Sequence, residues 1–98
     1  MNIHFQENDP NIIIENLKEA MGGRALAKIV SFDLKGEDLT VTLSKLGKST
    51  LFFSGQKAED GYSFALTKEK IALAHKALKG EVTEKIVRVI EKAGGSVS

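Results

Sequence analysis

The segment Gly47-Lys48-Ser49-Thr50 reads like the end of a phosphate-binding loop. That chemistry needs a second glycine five residues earlier and a helix directly after, whose free amides meet the phosphate. Thr42 holds the first place, and Leu51-Phe52-Phe53 continues as a strand-like run. The residues therefore read as a hairpin turn. The chain has two histidines, His4 and His75, and no cysteine. A zinc site would need both histidines plus carboxylates gathered by folding, with no paired-histidine spacing to support it, so the expectation is no metal and no cofactor.

Ser54, Ser63 and the lysines are the remaining nucleophile candidates, and nothing in their spacing sets a nucleophile against a base. His75 falls beside Ala74 on the inward side of an expected helix, as a boundary histidine rather than a general base. Glu37-Asp38 and Glu59-Asp60 fall in expected turns, where acidic residues serve local hydrogen bonding and solubility. Exposed turns seldom push two carboxyl pKa values apart as acid–base catalysis requires. On these grounds the sequence predicts no catalytic residue and no enzyme.

The elements that position these groups are clearer. Asp9 is placed as an N-cap and Pro10 at the first helical position, where its missing amide is not needed. Ile13, Leu17, Ala20 and Met21 then recur at helical spacing, Ile12 and Ile14 widen the stripe, and Gly22-Gly23 ends it. From Leu26 the period changes to two. Val30, Phe32 and Leu34 share a face, and Leu39, Val41 and Leu43 alternate with Thr40, Thr42 and Ser44, which predicts a sheet with one dry face. Further strands are expected over 50–53 and 62–66, with 55–61 as loop, and the short turns imply antiparallel pairing throughout. Ile3 and Phe5 flank His4 as in a short first strand.

Thr67 is a plausible cap for a second helix over 67–79, closed by Gly80, and a third is expected over 81–93. In the third, Val82, Ile86, Val89, Ile90 and Ala93 form a stripe, and Glu81 with Lys85 and Glu84 with Arg88 are spaced as i,i+4 pairs. The predicted fold is α+β: a four- or five-stranded antiparallel meander with one face covered by an N-terminal helix and a C-terminal helical pair. This order resembles the cystatin-like layout, a helix crossing a curved antiparallel sheet, at the level of architecture and without any residue motif of that family.

Composition bounds the rest. Ninety-eight residues, 42% of them hydrophobic, with five Phe and one Pro, suit a single globular domain over 1–98. Residues 1–10 carry Glu7 and Asp9 but no basic cluster or apolar run, and no apolar run in the chain approaches bilayer length, so the expected setting is cytoplasmic with no membrane partner. The absence of cysteine is compatible with that compartment.

Three functions follow, in this order of preference. The first is a non-enzymatic protein-interaction module, expected to be a homodimer, with Tyr62, Phe64, Ile86, Val87 and Ile90 as contact residues. An unblunted sheet edge invites such pairing. The second is a nucleic-acid-associated protein using Lys68, Lys70, Lys76, Lys79 and Arg88. The helical pair has the length of a helix-turn-helix, but Lys76 stands where the turn wants a small residue, and two arginines serve bidentate recognition poorly. The third is a small-ligand binder with a helix–sheet pocket lined by Phe32, Phe52, Phe53, Tyr62 and Phe64, aromatics that are ordinarily core.

Overall fold

The computed structural model describes residues 1–22, 28–44, 47–73 and 79–98. In chain order its elements are β1 (Asn2–Phe5), α1 (Pro10–Ala20), β2 (Val30–Lys35), β3 (Asp38–Ser44), β4 (Lys48–Ala58), β5 (Gly61–Lys70), α2 (Lys79–Lys92) and β6 (Gly95–Val97). The strands form one curled, six-stranded antiparallel sheet in the order β2-β3-β4-β5-β1-β6. The expected meander is β2 to β5. The first strand joins its far side and the last strand joins the first, so the sheet is larger than the sequence predicts.

Alternation decides the two faces. Ile3, Phe5, Val30, Phe32, Leu39, Val41, Leu43, Phe53, Tyr62 and Phe64 all point to the inner face and are buried. The intervening Thr40, Thr42, Ser54, Gln56 and Ser63 point outward. Helices α1 and α2 cover the inner face, and their buried residues belong to the same core cluster as those of the strands.

Helix α1 starts as its sequence dictates. The Asp9 carboxylate accepts from the amide of Asn11 at 2.9 Å, Pro10 occupies the first turn, and Gly22 follows the helix at φ +64°. Ile13, Leu17 and Ala20 are buried, whereas Ile12, expected to widen the stripe, lies on the solvent side. Helix α2 buries Ile86, Val89 and Ile90 and carries the expected Glu84–Arg88 ion pair on its exposed face. The β-branched run of residues 86–90 is therefore helical. Among the described residues no helix is long and apolar enough to cross a membrane.

The expected second helix is corrected at both ends, since Gly80, expected to close it, lies inside α2. Residues 67–70 continue β5, and Thr67 is not a helix cap. The reason is tertiary: β4 runs without a break from Lys48 to Ala58, and its first half pairs with these polar residues, Thr50 with Lys70 and Phe52 with Lys68. Likewise 55–58, expected as loop, are strand, and only Glu59 and Asp60 turn the chain. Residues 74–78, including His75 and Lys76, lie outside the described residues.

Candidate functional site: an apolar cavity beneath the second helix

The registers of β4 and β5 slip against each other. Phe53 pairs with Leu66 but Phe52 pairs with Lys68, which leaves Thr67 as the extra residue of a β-bulge. Its hydroxyl donates to the carbonyl of Phe52 at 3.1 Å and so ties the bulge to the opposite strand. One extra residue reverses the phase of everything that follows. Tyr62, Phe64 and Leu66 face inward before the bulge. After it Glu69 and Ile71 face inward, and Lys68 and Lys70 face outward.

The reversed segment forms one wall of a cavity of about 230 Å³ between the inner face of the sheet and α2. Among the described residues its lining is Val41 and Leu43 of β3, Ser49 and Leu51 of β4, Leu66 and Glu69 of β5 with Ile71 directly after it, Thr83 and Ile86 of α2, and Met1. The surface is mostly aliphatic, with Ser49, Glu69 and Thr83 as its polar groups. Among the described residues Ser49 is the one buried polar residue, 4% exposed, and its hydroxyl accepts from the amide of Ala72 at 2.8 Å. That bond fixes the chain as it leaves β5, so Ile71 is held against the cavity. Gly47 permits the same approach from the other strand: it sits at φ +135°, and a Cβ there would meet that of Ala72 at 3.0 Å.

Ser49 belongs to the segment that resembled a phosphate-binding loop. Residues 48–50 open β4, no helix follows, and the serine is turned into the core. Lys48, Ser49 and Thr50 are thus strand rather than turn, paired across the β3–β4 hairpin with Ser44, Leu43 and Thr42, and residues 45–46, where the turn was expected, lie outside the described residues.

The expected sites are distributed differently. Tyr62, Phe64, Ile86 and Ile90 are each no more than 3% exposed, and Val87 is half-buried. Four of the five proposed contact residues are thus core of this chain, because inward strand and helix periodicity used them to cover its own sheet. Of the proposed nucleic-acid residues, Lys68 and Lys70 lie on the outer face of the sheet, Lys70 diagonal to Lys48, while Arg88 lies on the helical layer and is paired with Glu84. The described members therefore do not form one surface. Phe32, Phe53, Tyr62 and Phe64 are core, and Phe52 sits half-buried on the outer face, so none of the expected aromatics lines the cavity.

Tyr62 carries a further polar atom into the core. Among the described residues its buried hydroxyl has no hydrogen-bond partner, and its ring lies 5.1 Å from that of Phe64. Burial raises its pKa above the ordinary tyrosine value, and the nearby charges of Glu37 and Asp38 add to the rise. Among the described residues no group of three or more His, Asp or Glu could hold a metal ion. Set against known proteins, the chain matches no family model, no curated protein and no solved structure.

Proposed function

We propose that the protein binds a small, largely apolar molecule in the cavity between its sheet and α2. The observation that supports this reading is the bulge at Thr67, which turns Glu69 and Ile71 into the cavity in place of two lysines. Bulges concentrate where a strand must re-aim side chains at a site. Apolar cavities of about 150 Å³ hold benzene, so 230 Å³ suits an aromatic or branched aliphatic body on the order of ten non-hydrogen atoms. Ser49, Glu69 and Thr83 place hydrogen-bonding capacity at the wall, which favours a ligand with one polar group.

The experiment is an amide-resolved NMR titration with two probes, indole and 1-octanol. The expected result is saturable shifts at Val41, Leu43, Leu51 and Leu66, abolished by the cavity-filling Leu66→Phe at an unchanged fold. Shifts confined to other residues, or unaffected by Leu66→Phe, would overturn the reading.

Self-association is a second reading, supported by the sheet itself: β2 and β6 are its outer strands, and such edges pair with another chain unless blunted. With Tyr62, Phe64, Ile86 and Ile90 in the core, a homodimer would use β2, whose outward residues are Ser31, Asp33 and Lys35. Light scattering over a concentration series tests it, and a monomer at every concentration would end it.

A further inference from the structure

The outer face of the sheet carries a second arrangement, independent of the cavity. In the β1–β5 ladder the amide of Leu66 donates to the carbonyl of Met1, so 1/66, 3/64 and 5/62 are hydrogen-bonded pairs. His4 and Ser63, directly opposite each other, then form a non-hydrogen-bonded pair, the kind whose side chains come closest. Ser63 Oγ lies 2.8 Å from His4 Nδ1. On the other side of the ring Nε2 is buried and lies 3.4 Å from a carboxylate oxygen of Asp60, in the turn that leads into β5. That approach is too long or too bent for a formed hydrogen bond, and Asp60 acts on the ring as a neighbouring negative charge. An anion facing Nε2 and a hydroxyl facing Nδ1 assign the proton to Nε2, which leaves Nδ1 free to accept from the serine. Sequence spacing set no base beside Ser63; strand pairing across 59 residues does.

We infer that Ser63, His4 and Asp60 form a nucleophilic acyl-transfer site that takes small carboxylic esters with good leaving groups. A nucleophile within hydrogen-bond reach of a base, with a third group setting the base, is the arrangement such chemistry requires. Ser63 Oγ attacks the ester carbonyl carbon, and its proton passes to His4 Nδ1. The carbon–oxygen bond to the leaving group breaks, and the departing alkoxide takes that proton and leaves as the alcohol. Water then attacks the acyl carbon and gives its proton to Nδ1. Ser63 Oγ leaves, recovers the proton, and the carboxylic acid is released. Asp60 is a positioning residue. Gln56, in register with Ser63 on β4 and exposed on the same face, is the neighbouring side-chain amide within the site. The His4 side chain is 33% exposed, so a small ester reaches the pair without any opening of the fold.

The test uses the full chain with p-nitrophenyl acetate and, separately, a fluorophosphonate probe followed by peptide mass spectrometry. The expected result is a covalent adduct on Ser63, absent in Ser63→Ala, with acylation slowed about 100-fold in His4→Asn. Asp60→Asn slows it as well and Asp60→Glu restores it, at an unchanged melting temperature. Asp60 lies in an exposed turn, so this pair stays informative should His4→Asn fail to fold. No adduct on Ser63, equal labelling of other serines, or a rate indifferent to both His4→Asn and Asp60→Asn would overturn the inference.

Discussion

Gly61→Ala should be among the most damaging single-methyl changes in this protein. Gly61 sits at φ +152°, where side chains are strained, and a Cβ there would lie 1.8 Å from the carbonyl oxygen of Phe5 and 2.8 Å from Gln6 Cα. Real Cβ contacts essentially never fall below 3.0 Å, so the Phe5 carbonyl would have to retreat by about 1.2 Å. The backbone of β1 is thereby pushed off β5 at the end of their ladder. Backbone strain costs about 1–3 kcal/mol and forced displacement in a packed site another 1–3 kcal/mol or so, for a total of about 4 kcal/mol. For a domain of this size that is a fall in Tm on the order of 20 °C. Gly36→Ala is the control. Gly36 has φ +63° but nothing within 4 Å of its would-be Cβ, so only strain applies, about 1 kcal/mol and roughly 5 °C. The assay is thermal unfolding by circular dichroism of both variants. Equal losses would refute the reasoning, because they would mean that close approach of β1 contributes nothing.

Other expectations concern the core and the caps. Tyr62→Phe removes a buried hydroxyl that has no partner among the described residues and should raise stability at neutral pH by about 1 kcal/mol in urea unfolding. Because the folded protein holds the Tyr62 proton more tightly than the unfolded chain, this group's stabilising contribution is complete below pH 10.0 and is lost as pH rises through the folded pKa. Tyr62→Phe should flatten that alkaline decline, and an unchanged slope would count against the raised pKa. Asp9→Ala should cost about 1 kcal/mol by freeing the Asn11 amide, seen as earlier denaturant unfolding. Leu17→Ala, at a fully buried position of α1, should cost roughly 2–5 kcal/mol, and a cost below 1 kcal/mol would show that α1 is not clamped on the sheet.

What could be read from the residues depended on how local the deciding contacts are. Helix α1 was legible because Asp9-Pro10 and the spacing of Ile13, Leu17 and Ala20 carry its cap and its buried face within one segment. Strands β2 and β3 were legible because their alternation is strict. The end of β5 was not, since Thr67-Lys68-Glu69-Lys70 is polar and helix-compatible until β4 supplies a partner. Strand β6 has three residues behind a glycine turn and exists as a strand only against β1. A helix–sheet pocket is an expectation of the sequence, but its aliphatic lining is hidden for the same reason as the bulge that shapes it. The aromatics that suggested a pocket were inward-facing core, as strand spacing ordinarily makes them.

The place of β1, flanked by β5 on one side and β6 on the other, also governs how the chain finds its fold. The hairpins β2–β3 and β4–β5 close over two-residue turns, whereas His4 must meet a partner 59 residues on. Loop-closure entropy places such a long-range pairing late, after the meander has formed. Changes in β1 should then speed unfolding more than they slow folding. Until β1 arrives, β5 is itself a bare edge, and its own tethered first strand reaches it ahead of a neighbour's at ordinary concentrations. Dimers that exchange their first strands are accordingly expected only at high protein concentration.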